Sequence, residues 1–377
     1  MSNVEIQPES IEELREVIRL EPRVIPCGNR TKSPLSLIED CSTVSVRKLS
    51  GLIEYEPSEF TFTAWAGSSI SEIQSELFSK GQYLPFDPML CEAGATLGGT
   101  IASGLSGPGR FRFGGVRDFL IGINWMEGSG QLIQGGGKVV KNAAGFDFPK
   151  FMVGSLGRFG VLVDVTFKVF PKPTATLTRV IQCSSHEDAA QNISDIAAGR
   201  WEADAIDYRP DLQQIALRLA GPKEVLAALD QEIQQRWPEG GVLADADAAA
   251  YWRQVTEFKW SQIESPMMVK VPINLTTFLK LQADLDANNS IQTHLSVGGN
   301  LAWLAVEDPQ SIEWVSDLLD THGLPAILVR VPDFQNPMVD ASDANLLADP
   351  KLGCWQSNEM LNAVKHAMDP LDKFPGV

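Results

Sequence analysis

The residues best suited to chemistry in this chain are glycines and hydroxyl side chains clustered in one stretch. The stretch "GATLGGTIASGLSGPGRFRFGG" (94–115) contains eight of the 31 glycines in the 377-residue chain. Glycine lets the backbone approach a ligand closely and adopt positive φ angles. Thr96, Thr100 and Ser103 add hydroxyl donors. Backbone N–H groups and hydroxyls in one place favour the binding of a small anion.

A second glycine-containing turn lies about 70 residues upstream. The segment "PCGNRTK" (26–32) follows an apolar run and contains Gly28, Arg30 and Lys32. Either turn alone is compatible with a plain change of chain direction. Two such turns, each after an apolar run, predict one extended ligand that carries phosphate groups.

The spacing of the glycines excludes the common nucleotide-binding loops. A P-loop needs serine or threonine after its Gly-Lys pair, but Val139 follows Lys138. The dinucleotide fingerprint fails after Gly-Pro-Gly and after Gly-Ser-Gly, because Arg112 and Ile133 stand where its third glycine is required. The chain also lacks the G-x-S-x-G elbow of the α/β-hydrolases. The predicted ligand is therefore bound in another way.

The net charge of −17 is unevenly distributed along the chain. Residues 1–173 contain 17 Lys/Arg and 19 Asp/Glu, whereas residues 174–377 contain 14 and 29. Within the first part, residues 94–172 contain nine basic and four acidic residues. A locally cationic, glycine-rich segment is typical of an anion site, and chance clustering on a solvated face is the alternative. The acidic remainder argues against nucleic-acid binding.

Cysteines and histidines give no sign of a metal site. No two cysteines have C-x-x-C spacing, and no two histidines form H-x-x-x-H. We therefore expect no metal and no iron–sulfur cluster, and predict that the cysteines are buried free thiols in a reducing compartment. The residues concerned are Cys27, Cys41, Cys91, Cys183, Cys354, His186, His294, His322 and His366.

The N-terminal part alternates helices and strands. Ser10 and Glu13 have the spacing of a capping box and predict the start of a helix. Ile70, Ile73 and Leu77 predict a second helix that ends near Gly81. Turns dominate from Gly94 until the alternating run 160–170, which predicts a half-buried strand. Further strands are predicted at "RVIPCG", "TVSV" and "FTFTAWAG" (23–28, 43–46 and 60–67).

The character of the chain changes after "PKPT" (171–174), which predicts a domain boundary. Helices are predicted at about 223–236 and 310–321, with strands at "QIALRLA", "MMVKVPI", "LAWLAVE" and "AILVRVP". This pattern predicts an α+β domain with an antiparallel sheet. A last helix is predicted at 357–368.

The ends and the hydropathy of the chain bear on its compartment. The first residues are acidic and lack an apolar core, and no run approaches 18 apolar residues. We therefore expect a cytoplasmic protein without a signal peptide or membrane span, at most peripherally associated with the inner face of a membrane through its partners.

The longest ordered stretches resemble a known flavoprotein family. They begin "GLIEYEPSEF" (51–88), "ATLGGTIASG" (95–123) and "GGKVVKNAAG" (136–173). They resemble the FAD-binding proteins of the vanillyl-alcohol oxidase / p-cresol methylhydroxylase type, and within that family the FAD-binding (E) subunits of glycolate oxidase. The resemblance implies an α+β fold with an FAD-binding domain at 1–173, in subdomains 1–55 and 56–173. It also implies a cap domain at 174–345 and a C-terminal segment, 346–377, that returns to the FAD domain.

The resemblance also implies which residues hold the cofactor. The turn 26–32 would wrap the FAD pyrophosphate together with 95–99, residues 102–104 would lie along the flavin, and 160–161 would lie on the nucleotide side. Arg117-Asp118 and Lys141-Asn142 resemble polar residues that the family carries near these loops. The cofactor-binding residues implied are Pro26, Cys27, Gly28, Asn29, Arg30, Thr31, Lys32, Ala95, Thr96, Leu97, Gly98, Gly99, Ala102, Ser103, Gly104, Gly160 and Val161.

Two departures from the family pattern bear on the site. Relatives carry glycines where this chain has Asn29 and Arg30. Asparagine tolerates positive φ better than arginine does, so Arg30 either neutralises a phosphate or blocks the loop. The tail "DPLDKFPGV" (369–377) lacks an asparagine that relatives have. Cys27 does not match the family's attachment histidine, so we expect non-covalent FAD.

Three hypotheses for the function remain open. The first is an FAD-binding subunit of a glycolate oxidase-like complex, which oxidises a small 2-hydroxy acid beside a second flavin subunit and an iron–sulfur subunit. The second is a stand-alone FAD-dependent 2-hydroxy-acid dehydrogenase, and the third is a non-catalytic scaffold that has lost flavin. The lack of cysteine clusters favours the first over the second, and Asn29 and Arg30 are the main support for the third.

No catalytic residue is assigned from the sequence. His294 could act as a base, but a lone histidine is more often a surface or core residue. Lys141 and Arg117 could hold a carboxylate, and pairing with Asp147, Asp118 or the FAD itself is an equal alternative.

Overall fold

The computed structural model describes residues 5–36, 38, 40–137, 146–331, 349–356 and 358–377. The chain divides into two compact units. The first comprises Met1–Ser106, Gly114–Lys172 and Ser357–Val377, and the second comprises Gly107–Phe113 and Pro173–Gln356. The domain limits inferred from the sequence stay a prediction, and this division differs from them in grouping Gly107–Phe113 with the second unit.

The helices and strands of the first unit are as follows. The helices are α1 Ile11–Leu20, α2 Ile70–Ser79, α3 Leu97–Ser103, α5 Val116–Phe119, α6 Phe148–Met152 and α12 Glu359–Met368. The strands are β1 Val24–Cys27, β2 Ser42–Ser45, β3 Leu52–Glu56, β4 Thr61–Trp65, β5 Gln82–Tyr83, β6 Leu120–Met126, β7 Leu132–Gly136, β8 Val161–Lys168 and β9 Phe170–Pro171.

The second unit contains the remaining described elements. Its helices are α4 Arg110–Phe113, α7 His186–Ala198, α8 Lys223–Arg236, α9 Asp245–Thr256, α10 Leu275–Leu285 and α11 Pro309–Thr321. Its strands are β10 Ala175–Gln182, β11 Ala205–Arg209, β12 Gln214–Gly221, β13 Gly240–Val242, β14 Met267–Pro272, β15 Ile291–Ser296, β16 Leu301–Val306, β17 Pro325–Arg330 and β18 Lys351–Gly353.

Helix α1 begins where the sequence predicted. The Ser10 side chain accepts a hydrogen bond from the Glu13 backbone N–H at 3.1 Å. The Glu13 carboxylate reaches back to the N–H of Glu9 at 2.8 Å rather than to that of Ser10. The Glu13 side chain therefore pairs with the residue before the N-cap, whereas the capping-box pattern predicted a bond to the N-cap residue itself. Leu14 and Ile18 on the inner face of the helix are fully buried.

The Ser10 cap is expected to make a measurable contribution to stability. Replacing Ser10 with alanine leaves the Glu13 N–H without its side-chain acceptor and should lower the free energy of unfolding by about 1 kcal/mol. Urea denaturation followed by circular dichroism measures this change. Ser50→Ala is the control, because the exposed Ser50 hydroxyl has no hydrogen-bond partner within the described chain. Equal midpoints for the two variants would contradict the prediction.

Two of the three sheets in the described part of the first unit surround one core, and the third pairs β5 with β9. Strands β1 and β2 pair in parallel, and the antiparallel sheet β3-β4-β8-β6-β7 lies beside them. Strand β8 is correctly predicted, but the expectation of a half-buried strand is wrong. Leu162 and Thr166, on its predicted polar face, are each only 7% exposed, because both faces of this central strand are covered.

The segment after Gly94 differs from its prediction. Residues 97–103 form helix α3 instead of a turn, with Thr96 as N-cap and Gly104 (φ +63°) as C-cap. Gly98 permits the close packing of this helix, because a Cβ at Gly98 would lie 3.0 Å from the Ala66 carbonyl oxygen. Two glycines inside a seven-residue helix hide its propensity from a sequence-based reading.

The C-terminal segment packs on the same core. Phe374 is fully buried in a cluster with Leu14, Ile18, Val24 and Val44. The Lys373 carbonyl accepts the Val24 N–H at 2.8 Å and so adds a backbone bond at the start of β1. The missing family asparagine therefore does not prevent the tail from docking.

The second unit is the predicted α+β domain. Within the described residues its strands form one antiparallel sheet in the order β13-β10-β12-β11-β15-β16-β14-β17-β18. Side chains from one face of the sheet pack with α7, α8, α10 and α11 in a large apolar core, which includes Leu217, Val269 and Leu304. The α+β fold class with an antiparallel sheet is confirmed.

The described residues contain neither a membrane-spanning helix nor a disulfide. No helix in the described ranges is long and apolar enough to cross a membrane. The five cysteines, all in described segments, form no disulfide, and three of them are buried while Cys91 and Cys354 are partly exposed.

Candidate functional site

A cleft of about 460 Å³ in the first unit is formed by the two segments that the glycine pattern indicated. One wall is the turn that follows β1, and the other is the exposed side of α3 with Leu156. The lining residues are Pro26, Cys27, Gly28, Asn29, Arg30, Thr31, Lys32, Leu35, Ser36, Thr96, Gly99, Ala102, Ser103 and Leu156. The fold therefore brings together two stretches that are about 70 residues apart in sequence.

Gly28 is the point at which these two walls meet. A Cβ at Gly28 would lie 2.2 Å from the Thr96 Oγ1 atom, far inside contact distance. The same Oγ1 accepts the Gly99 N–H at 3.2 Å and so cannot move without loss of the α3 cap. On its other side Gly28 is held by the Ser45 hydroxyl, which donates to the Gly28 carbonyl at 3.2 Å. Only glycine fits this position without displacing α3.

The turn after Gly28 presents unused hydrogen-bond donors. In the described part of the chain, the backbone N–H groups of Gly28, Asn29, Arg30 and Thr31 have no protein acceptor. Arg30 has a φ of +53°, the left-handed conformation that reverses the chain here. Successive N–H groups in such a turn form a concave anion-binding site. A single bound phosphate would accept several of them.

The side chains of Asn29 and Arg30, the two residues that differ from the family pattern, both pair with protein groups. The Asn29 amide donates to the Gly94 carbonyl at 2.8 Å and ties the turn to the start of the glycine-rich stretch. The Arg30 guanidinium pairs with Glu5 at 2.9 Å, outside the backbone turn. The positive φ falls on Arg30 and not on Asn29, so the arginine adopts the less favourable conformation.

Three backbone N–H groups at the N-terminus of α3 are used within the protein. The Leu97 N–H donates to Ser68 O at 3.0 Å, the Gly98 N–H to Ala66 O at 2.7 Å, and the Gly99 N–H to Thr96 Oγ1 at 3.2 Å. These bonds fix α3 to the end of β4. The unpaired backbone donors of the first cleft described here therefore lie in the turn 28–31, and α3 adds the hydroxyls of Thr96 and Ser103.

A second cleft of about 380 Å³ continues from the first and shares Pro26, Cys27, Gly28, Gly99 and Ala102 with it. The residues that only the second cleft adds are Val46, Gly98, Ser155, Gly157, Gly160, Val161 and Leu162.

Glycines again permit the close approach in this second cleft. A Cβ at Gly157 would lie 2.6 Å from Pro26 Cγ, and one at Gly160 would lie 2.7 Å from Trp125 Cδ1. Both glycines have positive φ, at +73° and +141°. The loop 155–160 can therefore lie directly against β1.

Most of the residues implied by the family resemblance line one of these two clefts. Three do not: Ala95 and Leu97 are buried in the core, and Gly104 caps α3 against Gly154. The residues that sequence reasoning missed are Leu35, Ser36, Val46, Ser155, Leu156, Gly157 and Leu162. The "GSLGRFG" run around Gly157 was a detectable signal, because it repeats glycine at three-residue spacing before a strand.

The charged and thiol groups of the first cleft have distinct roles. Burial raises the pKa of the Cys27 thiol, and the nearby Arg30 guanidinium acts in the opposite direction. Cys27 is therefore a neutral wall residue at pH 7 rather than an activated nucleophile. Lys32 is largely buried, and its ammonium donates to Thr31 Oγ1 at 3.1 Å, which places a positive charge beside the donor-rich turn.

The other polar candidates lie elsewhere. His294 is fully buried, donating or accepting at 2.7 Å with Asp207, and its ring lies 5.2 Å from that of Trp260. His294 and Asp207 thus form a buried pair beside an aromatic ring, and the role of His294 as a base stays a hypothesis. Lys141 and Asn142 lie outside the described residues, and Asp118 accepts the Gly115 N–H at 2.9 Å as part of a helix cap.

Among the residues whose positions are described, no group of three or more His, Cys, Asp or Glu side chains could hold a metal ion.

Part of the first unit is similar in sequence to known proteins. Residues 3–136 match the family described as an FAD binding domain. The glycolate oxidase subunit GlcE of Escherichia coli is 38% identical over 168 residues, which are 45% of this chain and 48% of that protein. The glycolate oxidase subunit GlcD of Bacillus subtilis is 28% identical over 53% of this chain and 44% of its own length.

A wider relative and a solved structure extend the comparison. The D-2-hydroxyglutarate dehydrogenase of Xanthomonas citri is 24% identical over 65% of this chain and 58% of that protein. The matches thus span about half the length of the curated relatives. A structure of alkyldihydroxyacetonephosphate synthase superposes with a TM-score of 0.68 over 98% of this chain and 76% of that one, at 15% identity. This similarity shows a shared fold.

The sequence match, the shared fold and the paired clefts agree in the same segment of the chain. The clefts are lined by the turn after β1, by α3 and by residues within 155–162, and the family match covers the first two of these segments. Residues 3–136, which contain the turn after β1 and helix α3, are thus similar in sequence to FAD binding domains.

Proposed function

We propose that this chain binds FAD non-covalently in the two continuous clefts, with the pyrophosphate at the turn 26–32. The observation that carries the proposal is the set of backbone N–H groups at Gly28–Thr31 that lack a protein acceptor in the described structure. Phosphates are acceptors only, and their buried charge needs several donors or a cation. Lys32 supplies the cation beside these donors.

Two glycines in the walls of the clefts support the same assignment. Gly28 and Gly157 are the positions at which a Cβ would collide with the opposite wall. We assign Ala102 and Ser103 to the flavin side, because they lie further along α3 from the turn. Gly160 and Val161 are assigned to the nucleotide side. Ala95, Leu97 and Gly104 act indirectly, through the position of α3.

The chemistry of the site follows from the cofactor and the protein separately. When bound, FAD supplies a flavin that accepts two electrons. The turn 28–31 anchors the phosphates, α3 and the loop 155–160 exclude water from the ligand, and Cys27 remains protonated because it is buried. The protein residues named here orient and desolvate the cofactor.

We further propose that the chain takes part in the flavin-dependent oxidation of a small 2-hydroxy acid, as a subunit of a glycolate oxidase-like complex. The support is that GlcE and GlcD are named as glycolate oxidase subunits and that a third relative is a D-2-hydroxyglutarate dehydrogenase. In this proposal electrons pass to a second flavin subunit and an iron–sulfur subunit.

Flavin content is the first test of this proposal. The purified chain should be yellow, should contain a stoichiometric amount of FAD, and should release it on acid precipitation because no covalent bond holds it. A colourless protein that takes up no added FAD would leave only the scaffold hypothesis.

Turnover is the second test. Glycolate and D-lactate are offered with an artificial electron acceptor, first to the isolated chain and then together with its partner subunits. Activity only with partners supports the complex. Turnover by the isolated chain shows a stand-alone dehydrogenase instead.

A further inference from the structure

Glu5 lies beside the turn 26–32, on a segment that is fixed to β2. The Ile6 N–H donates to the Thr43 carbonyl at 2.9 Å, and the Ser45 N–H donates to the Ile6 carbonyl at 2.8 Å. Ile6 thereby forms a parallel bridge to β2, which is itself the partner of β1. Because these bonds fix the backbone next to Glu5, its carboxylate has a defined place near the turn that follows β1.

The Glu5 carboxylate is the centre of a small charge network. Its Oε2 atom lies 2.9 Å from a guanidinium nitrogen of Arg30, and its Oε1 atom lies 3.6 Å from one of Arg47. The Gln7 amide donates to Oε1 at 3.0 Å. One carboxylate thus faces two cations and uses both of its oxygens. The side chains of Glu5 and Arg30 are 22% and 38% exposed, so water shields their pairing only in part.

The backbone conformation of Arg30 gives this pairing a purpose. Arg30 has a φ of +53° within the turn 28–31, whose N–H groups lack a protein acceptor in the described structure. A residue with a Cβ enters the left-handed region at a conformational cost that glycine does not have. The ion pair holds the side chain of the same residue and offsets part of that cost. Without it, we expect the free turn to populate conformations in which these donors no longer converge.

We propose that Glu5 is a positioning residue for the phosphate turn, because its ion pair with Arg30 holds the turn in the binding conformation before the ligand arrives. A loop that is already ordered loses less entropy on binding and therefore binds more tightly. Glycine, which the family pattern has at this position, would need no such partner. The identity of the ligand as FAD rests on the proposed function, whereas the network rests on the three contacts of the Glu5 carboxylate.

The test is a double-mutant cycle in which the flavin-free full chain is titrated with FAD and the flavin fluorescence is followed. Glu5→Gln should raise the dissociation constant about threefold to fivefold, the range expected for the loss of a partly exposed ion pair. In the Arg30→Gly background Glu5→Gln should have no effect, because glycine adopts the turn conformation unaided. Glu16→Gln removes the same charge from an exposed position on α1 and should leave binding unchanged.

The Arg30→Gly background separates positioning from a general structural role. If Glu5 only held its own segment against β2, its replacement would weaken FAD binding equally with arginine and with glycine at position 30. Circular dichroism shows which variants are folded. If Glu5→Gln does not fold, Arg30→Gln removes the same ion pair from the other side, and it should weaken FAD binding whereas Arg30→Gly should not.

Several outcomes would overturn the positioning role. An equal loss of affinity in both backgrounds would do so, and so would tighter binding by Glu5→Gln, which would mean that Glu5 competes with phosphate for the Arg30 guanidinium. Equal FAD binding by all variants contradicts the positioning role and leaves the proposed function intact. A chain that takes up no FAD contradicts the proposed function. Titration with inorganic pyrophosphate then tests the turn alone, and the positioning role stands if Glu5→Gln weakens that binding and falls if it does not.

Discussion

Gly28→Ala is expected to yield a protein that contains no flavin. The added methyl group would lie 2.2 Å from Thr96 Oγ1 and 2.9 Å from Thr96 Cγ2. Thr96 cannot rotate away freely, since its Oγ1 caps α3 at Gly99. The turn 28–31 must therefore shift and its N–H groups no longer converge. We expect FAD affinity to fall by about two orders of magnitude or more, because several charge-assisted hydrogen bonds are lost together.

The measurement is the ratio of flavin absorbance to protein absorbance after purification, followed by titration of the protein with FAD. Gly241→Ala is the matched control, because a Cβ there meets nothing within 4 Å and its backbone does not require glycine. Circular dichroism shows whether Gly28→Ala remains folded. A folded Gly28→Ala protein with full flavin content would refute the placement of the phosphates at this turn.

Lys365→Met is expected to cause the largest loss of stability. The Lys365 ammonium is buried and donates to Asp369, to the Arg158 carbonyl at 2.8 Å and to the Phe374 carbonyl at 3.0 Å. Its removal leaves the Asp369 carboxylate, only 3% exposed, without a counter-charge. Breaking a buried pair by removing one partner costs about 3–5 kcal/mol. Phe374 and the rest of the C-terminal tail should then detach from the apolar core of the first unit.

Urea denaturation and limited proteolysis of the tail measure this loss. The double variant Lys365→Met/Asp369→Asn should recover part of the stability, because asparagine carries no charge and its single side-chain oxygen still accepts one of the two N–H groups, of Lys373 and Phe374, that Asp369 accepts. Lys80→Met, at the exposed end of α2, is the control. Equal stability of the single and the double variant would show that the ion pair is not the cause.

The sequence by itself determined several of the local elements. Side-chain periodicity and caps predicted α1, α2, α8 and α11 close to their observed bounds. Glycine density and local positive charge also indicated the two segments that line the clefts. These signals are local, since they depend on residues a few positions apart.

Only the tertiary structure decided which donors face the ligand site. The N–H groups of Leu97 and Gly98 look available in sequence, yet they are used by the Ser68 and Ala66 carbonyls from the end of another strand. Likewise, the left-handed conformation falls on Arg30, and Glu5 compensates for its charge. Such pairings join residues that are distant along the chain.

Contacts between distant segments also decide the roles of residues in the second unit. "GPGRFRF" reads as a continuation of the cofactor stretch, but Arg112 and Phe111 fix it on elements nearly 100 to 200 residues away. His294 could not be classified from its sequence neighbours, and the structure shows it buried in a pair with Asp207. Sequence thus determined which residues have the required chemistry. Tertiary structure decided which of their donors and charges remain unpaired, because pairing depends on contacts between distant segments.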